Sequence, residues 1–183
     1  LQGDWSSDVC SSDLSRLKMW FSYQEEGQEP VLIKTYNVGL GRPEPKSPSG
    51  TLTPIGRYLL GDKVAIYKPG VMGFHKDDRI EMIRVFGTRW IPFGQEVAGT
   101  SRPAKGFGIH GTPWNYDEVT KQWTEDDAGI GKFESDGCIR LSSRDMEEIF
   151  SIVLTRPTEI EIVNDYHEVI GDNGEISSSK AKV

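Results

Sequence analysis

Apolar residues in this chain recur at two different spacings, and where the spacing changes the predicted element changes with it. The stretch "PVLIKTYNVG" (30–39) alternates loosely and stops at a glycine, which predicts a strand. "RYLLGDKVAIYKPG" (57–70) reads as a strand running into a turn at Pro69 and Gly70. In "RIEMIRVFG" (79–87), Ile80 and Met82 and then, after a slip, Ile83 and Val85 take alternating sides; a strand is expected there, with "RWIPFG" just beyond. "GFGIHG" (106–111) is a short strand between glycines, and "TEIEIVN" (158–164) has a clean period of two. The intervening "GLGRPEPKSPSGTLTPIG" (39–56) is broken throughout by Pro and Gly, as a long loop or hairpin connection would be.

One segment keeps the other period. Met146, Ile149, Phe150 and Val153 lie at i, i+3, i+4 and i+7, and predict a helix from Ser143 to about Leu154 whose stripe packs on the core. Ser142 or Ser143 can cap its start, Asp145, Glu147 and Glu148 suit its positive end, and Pro157 closes it off. No internal repeat or domain linker interrupts the pattern. The expected architecture is mostly β, a sandwich or barrel-like form with one or two α-helices.

The two ends do not share this patterning. "LQGDWSSDVCSSDLS" is rich in Ser and Asp, has no apolar periodicity, and resembles a translated adapter or assembly artefact. Residues 1–15 are therefore expected to be an artefact or a disordered segment outside the fold, residues 16–165 the domain, and residues 166–183 a polar tail. Leu1 is not Met and no signal peptide is read, so the chain looks truncated, and any membrane anchor would lie in a missing N-terminal segment.

Composition narrows the function. The 183 residues carry a net charge of -7 and no basic cluster, which argues against a nucleic-acid partner, since phosphate binding needs Lys and Arg to displace counterions. No run approaches the roughly 20 apolar residues that span a bilayer.

Chemistry is concentrated in few residues. Of the two cysteines, Cys10 falls in the excluded opening and Cys138 lies in "FESDGCIRLSS" (133–143). Of the three histidines, His75 in "GFHKDDR" and His167 in the tail read as solvated, whereas His110 ends a glycine-flanked apolar run. One Cys and one His, without a CxxC or HxxxH partner, fall short of a metal site, so no metal is expected. Two readings of Cys138 remain: a small buried apolar residue, or a nucleophile whose thiol proton passes to an imidazole. The second needs a group to hold the His110 ring, for which the Gly111 carbonyl is the candidate, and an oxyanion hole, for which Gly137 lets the backbone turn tightly and aim N–H groups.

At "GFGIHGTPW" followed by "SDGCIRL" the chain resembles the L,D-transpeptidase family, the YkuD-type catalytic domain, whose signature is a His-Gly pair and, downstream, Ser/Thr-His-Gly-Cys, an apolar residue and Asn or Arg. His110 and Gly111 match the first element; Ser135, Gly137, Cys138, Ile139 and Arg140 match the second. "SPSGTLTPIGRYLL" (47–60) resembles the family's Thr-Pro-x-Gly segment, and "GTRWIPFG" (87–94) its central strand region, so the likeness runs from about Val31 to Asn164. The resemblance implies a mostly β fold and a bacterial cell-envelope enzyme, extracytoplasmic because its substrate is, with peptidoglycan stem peptides as partners and no cofactor. Carbapenem-type β-lactams would be covalent inhibitors. By the same carry-over Cys138 attacks the carbonyl of the L-centre residue in a tetrapeptide donor, His110 is the base, Gly111 orients its ring, and the amides of Gly137 and Cys138 hold the oxyanion. Arg140 contacts a substrate carboxylate or amide, and Gly106, Ser135 and Asp136 belong to the substrate site. An L,D-carboxypeptidase or endopeptidase with water as acceptor, or an inactive wall-binding module, are the alternatives.

Two departures stand out. Asp136 occupies the usual His position and places a negative charge near the thiol, for which Arg140 or Lys132 could compensate. The span between His110 and Cys138 is also long: residues 115–134 form an insertion whose acidic run, Glu125 to Asp127, is expected as a solvated loop. A bolder expectation makes it a lid, with Trp114 and Trp123 lining the acceptor side.

Overall fold

A nine-stranded sheet forms the centre of the computed structural model, which describes residues 7–25 and 28–165. In chain order the elements are β1 (Ser7–Asp13), β2 (Lys18–Gln24), β3 (Val31–Asn37), β4 (Leu40–Gly41), β5 (Gly56–Leu60), β6 (Ala65–Ile66), β7 (Met72–His75), β8 (Asp78–Glu81), α1 (Ile83–Phe86), β9 (Arg89–Ala98), β10 (Gly108–Gly111), β11 (Trp114–Asp117), β12 (Gln122–Glu125), β13 (Phe133–Ser135), β14 (Ile139–Leu141), α2 (Ser143–Val153) and β15 (Thr158–Val163). The sheet runs β14-β10-β9-β5-β15-β1-β2-β3, with β6 added alongside β9. The fold is mostly β with two helices, as the periodicity predicts.

The clearest patterns fold as their spacing dictates. Along β15, Thr158, Ile160 and Ile162 turn into the core while Glu159 and Glu161 face outward. In α2, Met146, Ile149, Phe150 and Val153 are buried against β9, β10 and β14. The Ser142 hydroxyl caps the helix by accepting from the Asp145 amide at 3.2 Å. Fully burying each such apolar side chain stabilises the fold by about 1.5–3 kcal/mol.

Two expectations change. The Ser/Asp-rich opening is not outside the fold over its described part: β1 pairs parallel with β15 and antiparallel with β2, and Cys10 is fully buried. A strand laddered on both sides has its backbone N–H and C=O groups satisfied by its neighbours, so it needs little apolar patterning of its own. Residues 79–87 are not a single strand. Asp78–Glu81 closes a hairpin with β7, and Ile83–Phe86 is one helical turn ended at Gly87. Over so few residues Met82, Ile83 and Phe86 satisfy a helical period as well as a slipped strand one, and tertiary packing chose. The tail 166–183 and His167 lie outside the described residues.

Candidate active site

Two short strands bring His110 and Cys138 to the same place. β10 and β14 pair in parallel with Ile109 opposite Ile139 and His110 opposite Arg140. Both isoleucines are fully buried in the core, so alternation turns Gly108, His110, Arg140 and the preceding Cys138 towards the opposite face. Cys138 directly precedes β14, and its thiol is bonded at the level of Gly106 and Gly108, at the start of the strand that carries His110.

The His110 ring is 3% exposed and held from three sides. Its Nδ1 lies 2.7 Å from the Gly111 carbonyl, which can only accept, so Nδ1 carries the proton and Nε2 keeps its lone pair. Phe86 meets the ring edge-on at 5.2 Å, and Trp90 lies 5.8 Å away. Burial drives its pKa down to about 4; the Gly111 carbonyl opposes this, while the charges of Arg140 and His75 add to it. The imidazole is therefore neutral near pH 7.

Cys138 is a free, half-buried thiol whose Sγ donates to the Gly106 carbonyl at 3.9 Å. Desolvation pushes its pKa up to about 11, against the lowering effects of the Gly108 amide and Arg140, and with the Asp136 charge raising it further. The resting pair is thus thiol and neutral imidazole, not thiolate and imidazolium.

The loop before Cys138 is tightly braced. The Ser135 hydroxyl, on a residue only 1% exposed, accepts from the Gly137 amide at 3.1 Å and donates to the Cys138 carbonyl at 2.7 Å. Ser135 thus braces the loop that carries Cys138. The Gly137 amide, expected as an oxyanion donor, is already engaged by that hydroxyl. Gly137 is needed for another reason. Its φ is +120°, and a Cβ there would lie 2.6 Å from Phe107 Cε1 and 2.8 Å from the Leu52 carbonyl oxygen.

Asp136 is compensated, though by neither expected cation. Its carboxylate binds Arg42 from the loop after β4 and Lys76 from the β7–β8 turn, whereas Lys132 pairs with Glu134. Arg140 is half-buried, and its Nε is buried without a hydrogen-bond partner. His75, expected on the solvated surface, is half-buried and meets Phe86 edge-on at 5.6 Å. Arg42, Lys76, His75, Phe86 and Trp90 were missed because nothing in their local sequence marks them; only their approach in the fold does.

The insertion is a β11–β12 hairpin tied to both helices. The Trp114 indole donates to Ser143 Oγ at 2.9 Å, and Arg84 of α1 lies 4.8 Å over the Trp123 ring. Glu125 is no solvated residue: it accepts from the Ser143 amide at 2.6 Å and from the Thr112 hydroxyl. It thereby satisfies a donor at the start of α2. Trp114 and Trp123 brace the hairpin against these helices, where the lid expectation had them lining the acceptor side.

A mostly β sheet that sets a buried histidine beside a glycine-preceded cysteine defines the L,D-transpeptidase class of fold. The chain belongs to the YkuD family, the L,D-transpeptidase catalytic domain, whose model matches residues 12–162. Among solved structures it is similar to the helical cell shape determining protein Pgp2 of Campylobacter jejuni, at 17% identity over 88% of this chain and 49% of that one, with a TM-score of 0.55. Bd1075 of Bdellovibrio bacteriovorus is similar at 16% identity, over 88% of this chain and 49% of that one, with a TM-score of 0.55. These likenesses show the fold, and the chain spans about half the length of either structure. No curated protein sequence matches the chain.

Proposed function

We propose that the chain is a cysteine-dependent L,D-transpeptidase acting on peptidoglycan stem peptides. The observation that carries the reading is the His110 ring: it is neutral, its Nδ1 is fixed on the Gly111 carbonyl, and it stands on the strand that pairs with the one directly following Cys138. In this mechanism the thiol leaves the Gly106 carbonyl and gives its proton to His110 Nε2 as Sγ attacks the carbonyl carbon of the donor's L-centre residue. A neutral pair makes proton transfer and attack a joint step, because no thiolate stands ready.

The tetrahedral oxyanion is held by the Cys138 amide, with Gly137 shaping the turn that presents it. The intermediate collapses to a thioester as His110 returns the proton to the departing D-amino acid's nitrogen. An acceptor amine then attacks the thioester carbon, His110 takes its proton, and the regenerated thiol recovers it, leaving a stem-to-stem amide. Arg140, with an unpartnered buried Nε, suits a substrate carboxylate, and the open space beside Gly106 admits the peptide backbone. The substrate would place the protein in the cell envelope. Among the described residues no helix is long and apolar enough to cross a membrane.

Disaccharide tetrapeptides incubated with the protein and resolved by mass spectrometry test this. Crosslinked dimers with loss of a terminal D-amino acid are expected. Tripeptide monomers alone would make water the acceptor and a carboxypeptidase the better reading, and unchanged tetrapeptide would leave a wall-binding module.

A further inference from the structure

Three segments far apart in sequence converge beside the nucleophile. Asp136 stands two residues before Cys138, and its carboxylate is bound by Arg42, 94 residues away, and by Lys76, 60 residues away. Lys76 reaches it from the tip of the β7–β8 hairpin in a left-handed conformation, with φ +49° at Lys76 and +72° at Asp77. A two-residue turn with both φ values positive is ordinarily made with Asn, Asp or Gly, so Asp77 suits it and Lys76 is the unusual residue, at a cost of about 1–2 kcal/mol. Such strain persists where surrounding interactions over-determine it. The same hairpin carries His75, which packs on Phe86, and Phe86 packs on His110. The hairpin therefore reaches both halves of the candidate site.

We propose that Arg42 and Lys76 are positioning residues for the nucleophile: by binding Asp136 from two separate segments they hold its charge away from the thiol and pin the loop that carries Cys138. The charged or titratable groups around Cys138 are Asp136 on its own loop, Arg140 on β14, His110 on β10 and, one aromatic ring further out, His75 on β7. Of these Asp136 is the nearby anion, and its charge adds to the burial that already disfavours the thiolate. The side chains of Arg42, Asp136 and Lys76 are 59%, 42% and 66% exposed, which makes each pair individually weak and open to screening by salt.

The inference deepens the proposed function by naming what supports its nucleophile, and its test needs no peptidoglycan. Cys138 is alkylated by iodoacetamide between pH 7.5 and 9.5 and followed by intact mass, with Cys138→Ala as the blank. In this range the rate tracks the thiolate fraction. Lys76→Ala and Arg42→Ala are expected to react about two- to five-fold more slowly than wild type, and Asp136→Asn faster by a similar factor. With Asp136 neutral Lys76 has no charge to hold, so the double variant Asp136→Asn/Lys76→Ala should react like Asp136→Asn alone; Lys76→Arg should match wild type, and the differences should shrink at about 1 M salt.

Equal rates in all variants would overturn the proposal. So would faster reaction in every variant, which would mean that the cluster merely shields the thiol. The two exposed cation variants carry the test even where Asp136→Asn folds poorly. A result against the cluster leaves the acyl-transfer reading standing, and failed turnover on muropeptides leaves the alkylation pattern interpretable.

Discussion

Cys138 and His110 are ordinary side chains whose environment sets their chemistry. Burial moves the two pKa values in opposite directions, up to about 11 and down to about 4, and so keeps both groups neutral between those limits. The rate should follow. As pH rises through the His110 value the ring loses its proton and becomes a base, so kcat/KM on a tetrapeptide donor should climb at acid pH and stay flat from about pH 6 to 9. His110→Gln should lower it about 10²- to 10⁴-fold across that plateau. A bell with an acid limb between pH 6 and 7, or activity surviving His110→Gln, would contradict this picture.

The pair itself was legible in the sequence, because "GIHG" and "SDGC" are local patterns that each place one residue at a glycine-shaped strand end. The partners of Asp136 were not, since charge compensation at that carboxylate comes from residues 94 and 60 positions away. Nor does local sequence show that Ser135 takes the Gly137 amide, which depends on how the loop closes on Phe107 and Leu52.

At the scale of elements, legibility follows length and the number of neighbours. α2 runs for 11 residues, enough for its apolar stripe to show, and its serine cap could be narrowed to Ser142 or Ser143, of which Ser142 makes the bond. α1 is only four residues long, and its pattern fits two periods equally. β1 escapes for the opposite reason: seven residues rich in Ser and Asp become a strand because β15 and β2 supply partners on both sides. A chain beginning at residue 16 should therefore leave both neighbours with an open edge and remove buried Cys10 from the core. The expected outcome is loss of a single cooperative thermal transition by circular dichroism. An unchanged transition would mean that β1 adds nothing to the sheet.

Across the whole molecule the charge is unevenly placed. The chain carries a net -7, yet Arg42, Lys76 and Arg140 gather around the one half-buried cysteine. Two of these cations are matched by Asp136, so the cluster is internally compensated. The fold serves that arrangement simply. A continuous sheet fixes β10 beside β14, α2 supports both from the core side, and the insertion hairpin is tied to the helices. Covalent acylation measures most directly whether Cys138 acts as a nucleophile with His110 as its base. Incubated with a carbapenem and examined by intact mass, the wild-type protein should gain one equivalent of the β-lactam, Cys138→Ala should gain none, and His110→Gln should react far more slowly. No adduct on the wild type, or one that persists in Cys138→Ala, would contradict it.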